Sequence, residues 1–311
     1  MFDNLISFFL LAGLGVFFKW KKSGDIDPDM ARYVINTIVI KFFLPALCFK
    51  VIATSQIDIN TVLIPVTAIS TILLSLTISF IVYTIFEKFI PLHKKEKGAL
   101  ILGSAFGNVT FLGLLFLTGL YGKSVAKYVL FYDLLATTPL LWLVGTIIAC
   151  YYGRGEKLTV KDGLKTILQM PPMWALVIGF IVNFSSIILP NFFLKTLDLI
   201  AMPIVPLMLF SVGLALPMPK IKHILITIPA LIIKLCVAPL LSFAIVSFFG
   251  MDGLALKSAI MEAAMPTMVL TLVIASHHKL DHNLSAFIIL FTAASAFVTL
   301  PLTCLLIRNL T

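Results

Sequence analysis

The sequence predicts an all-α polytopic membrane protein: ten transmembrane helices as two inverted five-helix repeats, with the fourth and ninth helices broken midway. Three observations carry this. The 311 residues are 60% hydrophobic and only 12% charged, against about 45–50% and about 25% in globular chains. Apolar runs near the ~20 residues needed to cross ~30 Å of hydrocarbon recur along the whole chain. Helix breakers in the two halves recur at a nearly constant offset.

The ten spans fall at 4–19, 33–54, 62–86, 98–121, 126–150, 166–189, 192–216, 223–249, 253–276 and 284–308. The first begins after one acid, Asp3, and no base, so it lacks the positive flank of a signal peptide and reads as a retained span. Loops after odd-numbered spans hold Lys19, Lys21, Lys22, Arg32, Lys88, Lys94, Lys95, Lys97, Arg154, Lys157, Lys161, Lys165, Lys220, Lys222 and Lys279. The opposite side holds only Lys123, Lys127, Lys195, Lys257 and Arg308. Basic residues collect on the cytoplasmic side. Both termini are therefore expected outside, and the net charge of +9 needs no nucleic acid to explain it. No loop is long enough for a separate domain, so the function is expected within the bilayer.

Pro45 and Pro206 are 161 residues apart, Pro65 and Pro229 164, Pro139 and Pro301 162, and Gly107 and Pro266 159. Five spans followed by five give a second half that points the opposite way, the inverted repeat of many secondary transporters. The division is 1–150 for the first repeat, 151–165 for a basic cytoplasmic loop and 166–311 for the second repeat.

Span four is interrupted by "FGNVTFLG" and span nine by "EAAMPTMV". Pro266 lacks a backbone donor, and Gly107 loosens the chain. Unwound backbone at membrane depth survives only where protein buries it or a cavity accepts it. If both spans break, half-helix ends meet near the midplane, and their N–H groups favour an anion. Gly107, Asn108, Thr110, Met265, Pro266 and Thr267 are the expected substrate-binding residues. The Asn108 amide can both donate and accept. Gly103, Gly113 and Gly119 read as close-packing positions.

Asp133, Lys234 and Glu262 lie inside spans five, eight and nine. A charge at bilayer depth costs at least ~2.5–3.5 kcal/mol on insertion scales, so each needs a partner or a task. Asp133 or Glu262 is expected to couple proton or ion movement, with Lys234 as counter-charge; a static ion pair between helices is the alternative. Lys50 is expected to snorkel outward, and Glu87 and Asp198 to lie at the interface. His277, His278 and His282 beside Asp281 read as a solvated cytoplasmic loop, not a metal site. Cys48, Cys150, Cys236 and Cys304 are scattered without a paired motif and read as small buried hydrophobes. No cofactor is implied.

At these motifs the chain resembles the auxin efflux carrier family, which includes bacterial malate and malonate permease-like members and the plant PIN-type carriers. The stretches are "FGNVTFLGLLFLTGLYG" from Phe106, "AAMPTMVLTLVIASHHKLD" from Ala263, "NTIVIKFFLPALCF" from Asn36, "IIKLCVAPLL" from Ile232 and the tail "SAFVTLPLT". The resemblance implies an elevator-type carrier related to bile-acid symporters and sodium–proton antiporters. Spans one, two, six and seven would form a scaffold, and spans three to five and eight to ten would form the moving transport domain. The family's substrate asparagine maps onto Asn108, and its crossover prolines map onto Gly107 and Pro266. Gly107, Leu115 and Thr267 depart from the family pattern, and the short central loop looks bacterial. A bacterial inner membrane and a homodimer through the scaffold are family-level expectations.

The function expected is secondary transport of a small organic anion, a dicarboxylate such as malate or malonate first, driven by protons or membrane potential. An auxin-like aromatic monocarboxylate or a sodium-coupled anion symporter is the alternative. An enzyme would need a nucleophile–base pair or a metal-binding set at one depth, and the sequence offers neither. A channel would want a continuous polar stripe, and a sensor an output domain.

Overall fold

The computed structural model describes residues 2–21, 26–153, 164–165, 167–185, 187–215 and 222–310. Among these the structure is helical, with one isolated backbone pairing, Gly107 with Thr267, at its centre. Most of the basic stretch 151–165, and with it Arg154, Lys157 and Lys161, lies outside the described residues, as do Lys22 and Lys220.

The first half holds α1 (Phe2–Lys21), α2 (Pro28–Thr54), α3 (Ile59–Phe86), α4 (Lys94–Ala105), α5 (Val109–Tyr121) and α6 (Lys123–Tyr152). The second holds α7 (Pro171–Phe184), α8 (Asn191–Ala201), α9 (Ile204–Ala215), α10 (His223–Phe248), α11 (Gly253–Ala263), α12 (Leu270–His277) and α13 (His282–Leu310). Six helical stretches are long and apolar enough to cross a membrane: Pro28–Thr54, Ile59–Phe86, Lys123–Tyr152, Asn191–Ser211, His223–Phe248 and His282–Ile307. Val109–Tyr121 and Pro171–Phe184 are shorter apolar helices.

Local chemistry sets the starts. Asp27 accepts from the Met30 N–H at 3.0 Å, and Pro28 takes the first turn of α2, where a missing donor costs nothing. Asp58 accepts from the Thr61 N–H at 2.7 Å and opens α3. Glu96 reaches back to the His93 N–H at 2.8 Å and opens α4.

Prolines shape the interiors. Pro45, Pro139 and Pro239 each follow a widened, π-type turn, at Val39–Phe43, Asp133–Thr137 and Ile233–Val237. Proline lacks the N–H that the carbonyl four residues back expects and also crowds it; a wider turn relieves both. Lys41, Asp133 and Lys234 sit in these three turns.

Some boundaries differ from the sequence reading. The sixth expected span, 166–189, shortens to Pro171–Phe184, because paired prolines at 171 and 172 fit only a helix's first turn. The seventh, 192–216, keeps its place as the apolar stretch Asn191–Ser211, with a turn at Met202–Pro203 between α8 and α9. Lys50 does not snorkel free; it pairs with Asp198 of α8.

Glycines bring helices close. α1 crosses α9 where a Cβ on Gly15 would meet the Phe210 carbonyl and the Gly213 Cα. α2 lies on α7, with Gly179 against Ile52 and the Phe49 carbonyl. The Asn183 amide closes the end of α2, donating to the carbonyls of Ile52 at 2.9 Å and Ser55 at 2.7 Å. A buried core joins α2, α3, α5, α6 and α11 through Ile52, Ile64, Leu117, Leu130 and Met261. A second joins α3, α4, α12 and α13 through Tyr83, Leu100, Ile274 and Ile288. A small apolar knot of Val39, Phe111, Ile204 and Met208 ties α2 and α9 to the start of α5.

Candidate functional site

The helix interruptions predicted in spans four and nine are present, and they cross. Phe106–Asn108 separates α4 from α5, and Ala264–Val269 separates α11 from α12. The two stretches pair antiparallel, with the Asn108 N–H on the Pro266 carbonyl at 2.7 Å and the Met268 N–H on the Phe106 carbonyl at 2.9 Å. This pairing satisfies backbone groups that the broken helices cannot. It also explains how Pro266 is tolerated, since the pairing uses its carbonyl and needs no donor from it.

Gly107 serves close approach. A Cβ there would lie 3.1 Å from the Lys234 Cε and Nζ and 3.3 Å from the Met265 carbonyl. Thr267 acts as a strut: its hydroxyl donates to the Gly103 carbonyl at 2.7 Å, and its N–H donates to the Thr292 hydroxyl of α13 at 3.1 Å. Met265 and Pro266 are buried beside it. Asn108 is 1% exposed, and its Oδ1 has no hydrogen-bond partner among the described residues. That atom sits where α5 begins.

The charged residues gather on the same centre. Asp133 is 3% exposed; one oxygen accepts from the Thr110 hydroxyl and the other from the Thr138 hydroxyl at 2.9 Å. Lys234 is 2% exposed and donates to the Ala263 carbonyl at 2.6 Å, holding the C-terminal end of α11. A cation at a helix C-terminus is favoured by the dipole. Glu262 is 1% exposed, and both its oxygens lack hydrogen-bond partners among the described residues. Its carboxyl occupies the space a Cβ on Gly113 would need.

All nine residues singled out from sequence thus converge on the crossing. Their partners differ from expectation in one respect. Among the described residues no carboxylate lies within 4.0 Å of Lys234; its hydrogen bond goes to backbone. Thr110 and Thr267 spend their hydroxyls within the protein. The sequence reading missed Thr138 and Thr292. Thr138 lies five residues after Asp133, off-face on a regular helix, and only the wide turn aligns the two. Gly113, read as a packing position, makes room for the Glu262 carboxyl.

Other expectations are corrected here. His277 and His282 are exposed, as a solvated loop requires, but His278 is buried and meets the Cys150 sulfur at 3.0 Å. Cys236 is exposed, not buried. It lines an apolar groove of about 330 Å³ with Leu235, Phe243 and Leu302. Acyl chains match such a wall, and none of the nine site residues lines it. Among the described residues no group of three or more His, Cys, Asp or Glu is placed to hold a metal ion.

Two archaeal proteins are similar over almost their whole lengths. An uncharacterized transporter of Methanocaldococcus jannaschii is 28% identical over 308 residues, covering 96% of each chain. An uncharacterized transporter of Methanothermobacter thermautotrophicus is 27% identical over 304 residues, again covering 96% of each. The family described as membrane transport protein matches residues 1–304. Apolar helices, a polar crossing buried among them and this match agree: the chain belongs to that membrane transport family, the auxin efflux carrier family its motifs resemble.

Proposed function

We propose that the protein is a secondary active carrier of a small organic anion, with a dicarboxylate such as malate or malonate as its preferred substrate. The observation that carries this reading is the crossing itself. Two interrupted helices meet there, α5 presents its N-terminal end, and the buried Asn108 amide has an unused acceptor. Gly107, Asn108, Thr110, Met265, Pro266 and Thr267 line the proposed substrate position. Thr110 and Thr267 act mainly by holding backbone and Asp133 in place.

The proposed motion is an elevator. The ten expected spans form two inverted repeats. α1, α2, α7, α8 and α9 form the scaffold, through which two copies would pair. α3 to α6 and α10 to α13 carry the crossing past it. The apolar knot of Val39, Phe111, Ile204 and Met208 is then a sliding contact between the two parts. The chain would sit in a cytoplasmic membrane with both termini outside, bacterial by its short central loop.

The test is substrate-induced current in proteoliposomes with malate, malonate, succinate and indole-3-acetate, at two pH values and with and without a sodium gradient. A saturable response to one anion, lost in Asn108→Ala, supports both the carrier and its site. A response to indole-3-acetate alone favours an auxin-like substrate. Silence across the panel from folded protein refutes the anion reading.

A further inference from the structure

Two acids share the crossing, and the structure treats them unequally. Each oxygen of Asp133 accepts a hydroxyl hydrogen, one from Thr110 on α5 and one from Thr138 on its own helix. That is a built acceptor site for an ionised carboxylate. Glu262 receives no hydrogen bond among the described residues. It lies against the Cα of Gly113, a surface that offers no donor.

The groups around Glu262 can be named element by element. α10 contributes Lys234, which interacts with it electrostatically but spends a hydrogen bond on the Ala263 carbonyl. α6 contributes Asp133, a like charge, and the buried phenol of Tyr132. α3 and α5 carry no charged residue. α13 brings Cys304 near the neighbouring Met261, and its charged residues, His282 and Arg308, lie near its ends. Among the described residues one cation, already engaged, therefore faces Glu262, and Asp133 opposes it as a second acid.

An ionised carboxylate buried without donors is among the costliest arrangements in a protein, whereas the neutral acid is far cheaper. Resting on the carrier reading above, we infer that Glu262 is the proton-carrying group of the transport cycle and that Asp133 is a fixed, ionised strut. Glu262 takes up one proton from the aqueous phase on one side, as its carboxylate becomes a carboxylic acid. It releases the proton on the other side once the crossing has moved. Protonation removes one negative charge from the centre, which offsets part of the charge that an anionic substrate brings in. On release, the Glu262 carboxylate competes with the Ala263 carbonyl for Lys234, which links the protonation state to the end of α11. Gly113 is the positioning residue: with no side chain, it leaves the acid a place free of donors.

The test reads the carboxyl directly and needs no known substrate. Infrared spectra of the full chain in lipid vesicles, taken across a pH titration, report the C=O stretch of protonated carboxylic acids. The wild type is expected to show one buried acid band. It should vanish in Glu262→Gln, persist in Asp133→Asn, and shift in Gly113→Ala, where a methyl group presses on the acid. Thr138→Val serves beside Asp133→Asn should that variant fold poorly, and it too should keep the band. A band that survives Glu262→Gln, or that disappears in the Asp133 or Thr138 variant, overturns the assignment. So does a carboxylate that stays ionised throughout and responds to sodium instead. Malate added to the same vesicles tests the carrier reading separately: without any malate-driven change or uptake the substrate reading fails, while the infrared result still decides Glu262. With malate transported, uptake driven by a pH gradient should be lost in Glu262→Gln.

Discussion

Thr138→Val isolates the hydroxyl that holds Asp133. Valine keeps the shape of threonine, so no cavity opens, and Thr138 is only 3% exposed. Among the described residues its hydroxyl is the single donor to one Asp133 oxygen, at 2.9 Å. The other oxygen keeps Thr110. A hydrogen bond to a charged group contributes about 1.5–3 kcal/mol. The apolar replacement offsets somewhat under about 1 kcal/mol of that. The net loss is about 1–2 kcal/mol, a factor of roughly 5–30 in the folded-to-unfolded ratio. Thr137→Val is the control. Thr137 is adjacent and equally buried, but it donates to a neutral acceptor, the Tyr132 carbonyl, at 3.2 Å. Its loss is expected to cost about half as much. Thermal unfolding in detergent, followed by the fluorescence of the three tryptophans, reads both variants. If Thr138→Val unfolds with the wild type, or costs no more than Thr137→Val, Asp133 is not held as an ionised acceptor and the strut argument fails.

Further outcomes follow from the same geometry. Lys234→Met replaces a buried ammonium, 2% exposed, by an apolar side chain of similar length; the Ala263 carbonyl loses its donor and the buried acids their cation, so stability should fall by about 1–3 kcal/mol, leaving protein that still folds, while anion-induced currents vanish altogether. Equal loss of stability and current would make Lys234 a structural prop only. Asn183→Leu removes the amide that closes α2 on the Ile52 and Ser55 carbonyls, and unfolding should move by about 1–3 kcal/mol for the groups left unsatisfied; an unchanged midpoint would show that water takes over the cap. Asp58 opens α3, and its bond from the Thr61 hydroxyl, helped by Lys127, holds its carboxyl below the ordinary 3.8. A group lowered by folding stabilises above its unfolded value and loses that contribution as pH falls through the folded one. The thermal midpoint should therefore stay flat from neutrality to about pH 5 and fall below about pH 4, with a shallower fall in Asp58→Asn. The same slope in both would assign the acid sensitivity elsewhere.

Membrane residence, the placement of the helices and the two breaks were legible in the sequence because each is a local property. A run of about 20 apolar residues must be buried whatever its neighbours are. A proline or glycine perturbs the helix that contains it. Asn108, Asp133, Lys234 and Glu262 stood out because polar groups inside apolar spans are expensive and need a reason. Prolines 171 and 172 were equally local signals, and the hydropathy reading passed over them in drawing the sixth span too long.

What these groups touch could not be read that way. Lys234, expected as a counter-charge, interacts electrostatically with Glu262 but gives its hydrogen bond to a backbone carbonyl at the end of α11. Thr138 reaches Asp133 only because a proline-induced wide turn changes which residues share a helix face. Gly113 proved to be the counterpart of Glu262, although 149 positions in the chain separate them. The sequence by itself determined which residues have to be buried in the membrane and where their helices give way, because hydropathy and backbone strain act within one segment. Only the tertiary structure decided which acid is held and which is left without a donor, because a hydrogen bond depends on placement to a fraction of an ångström across helices that the sequence does not align.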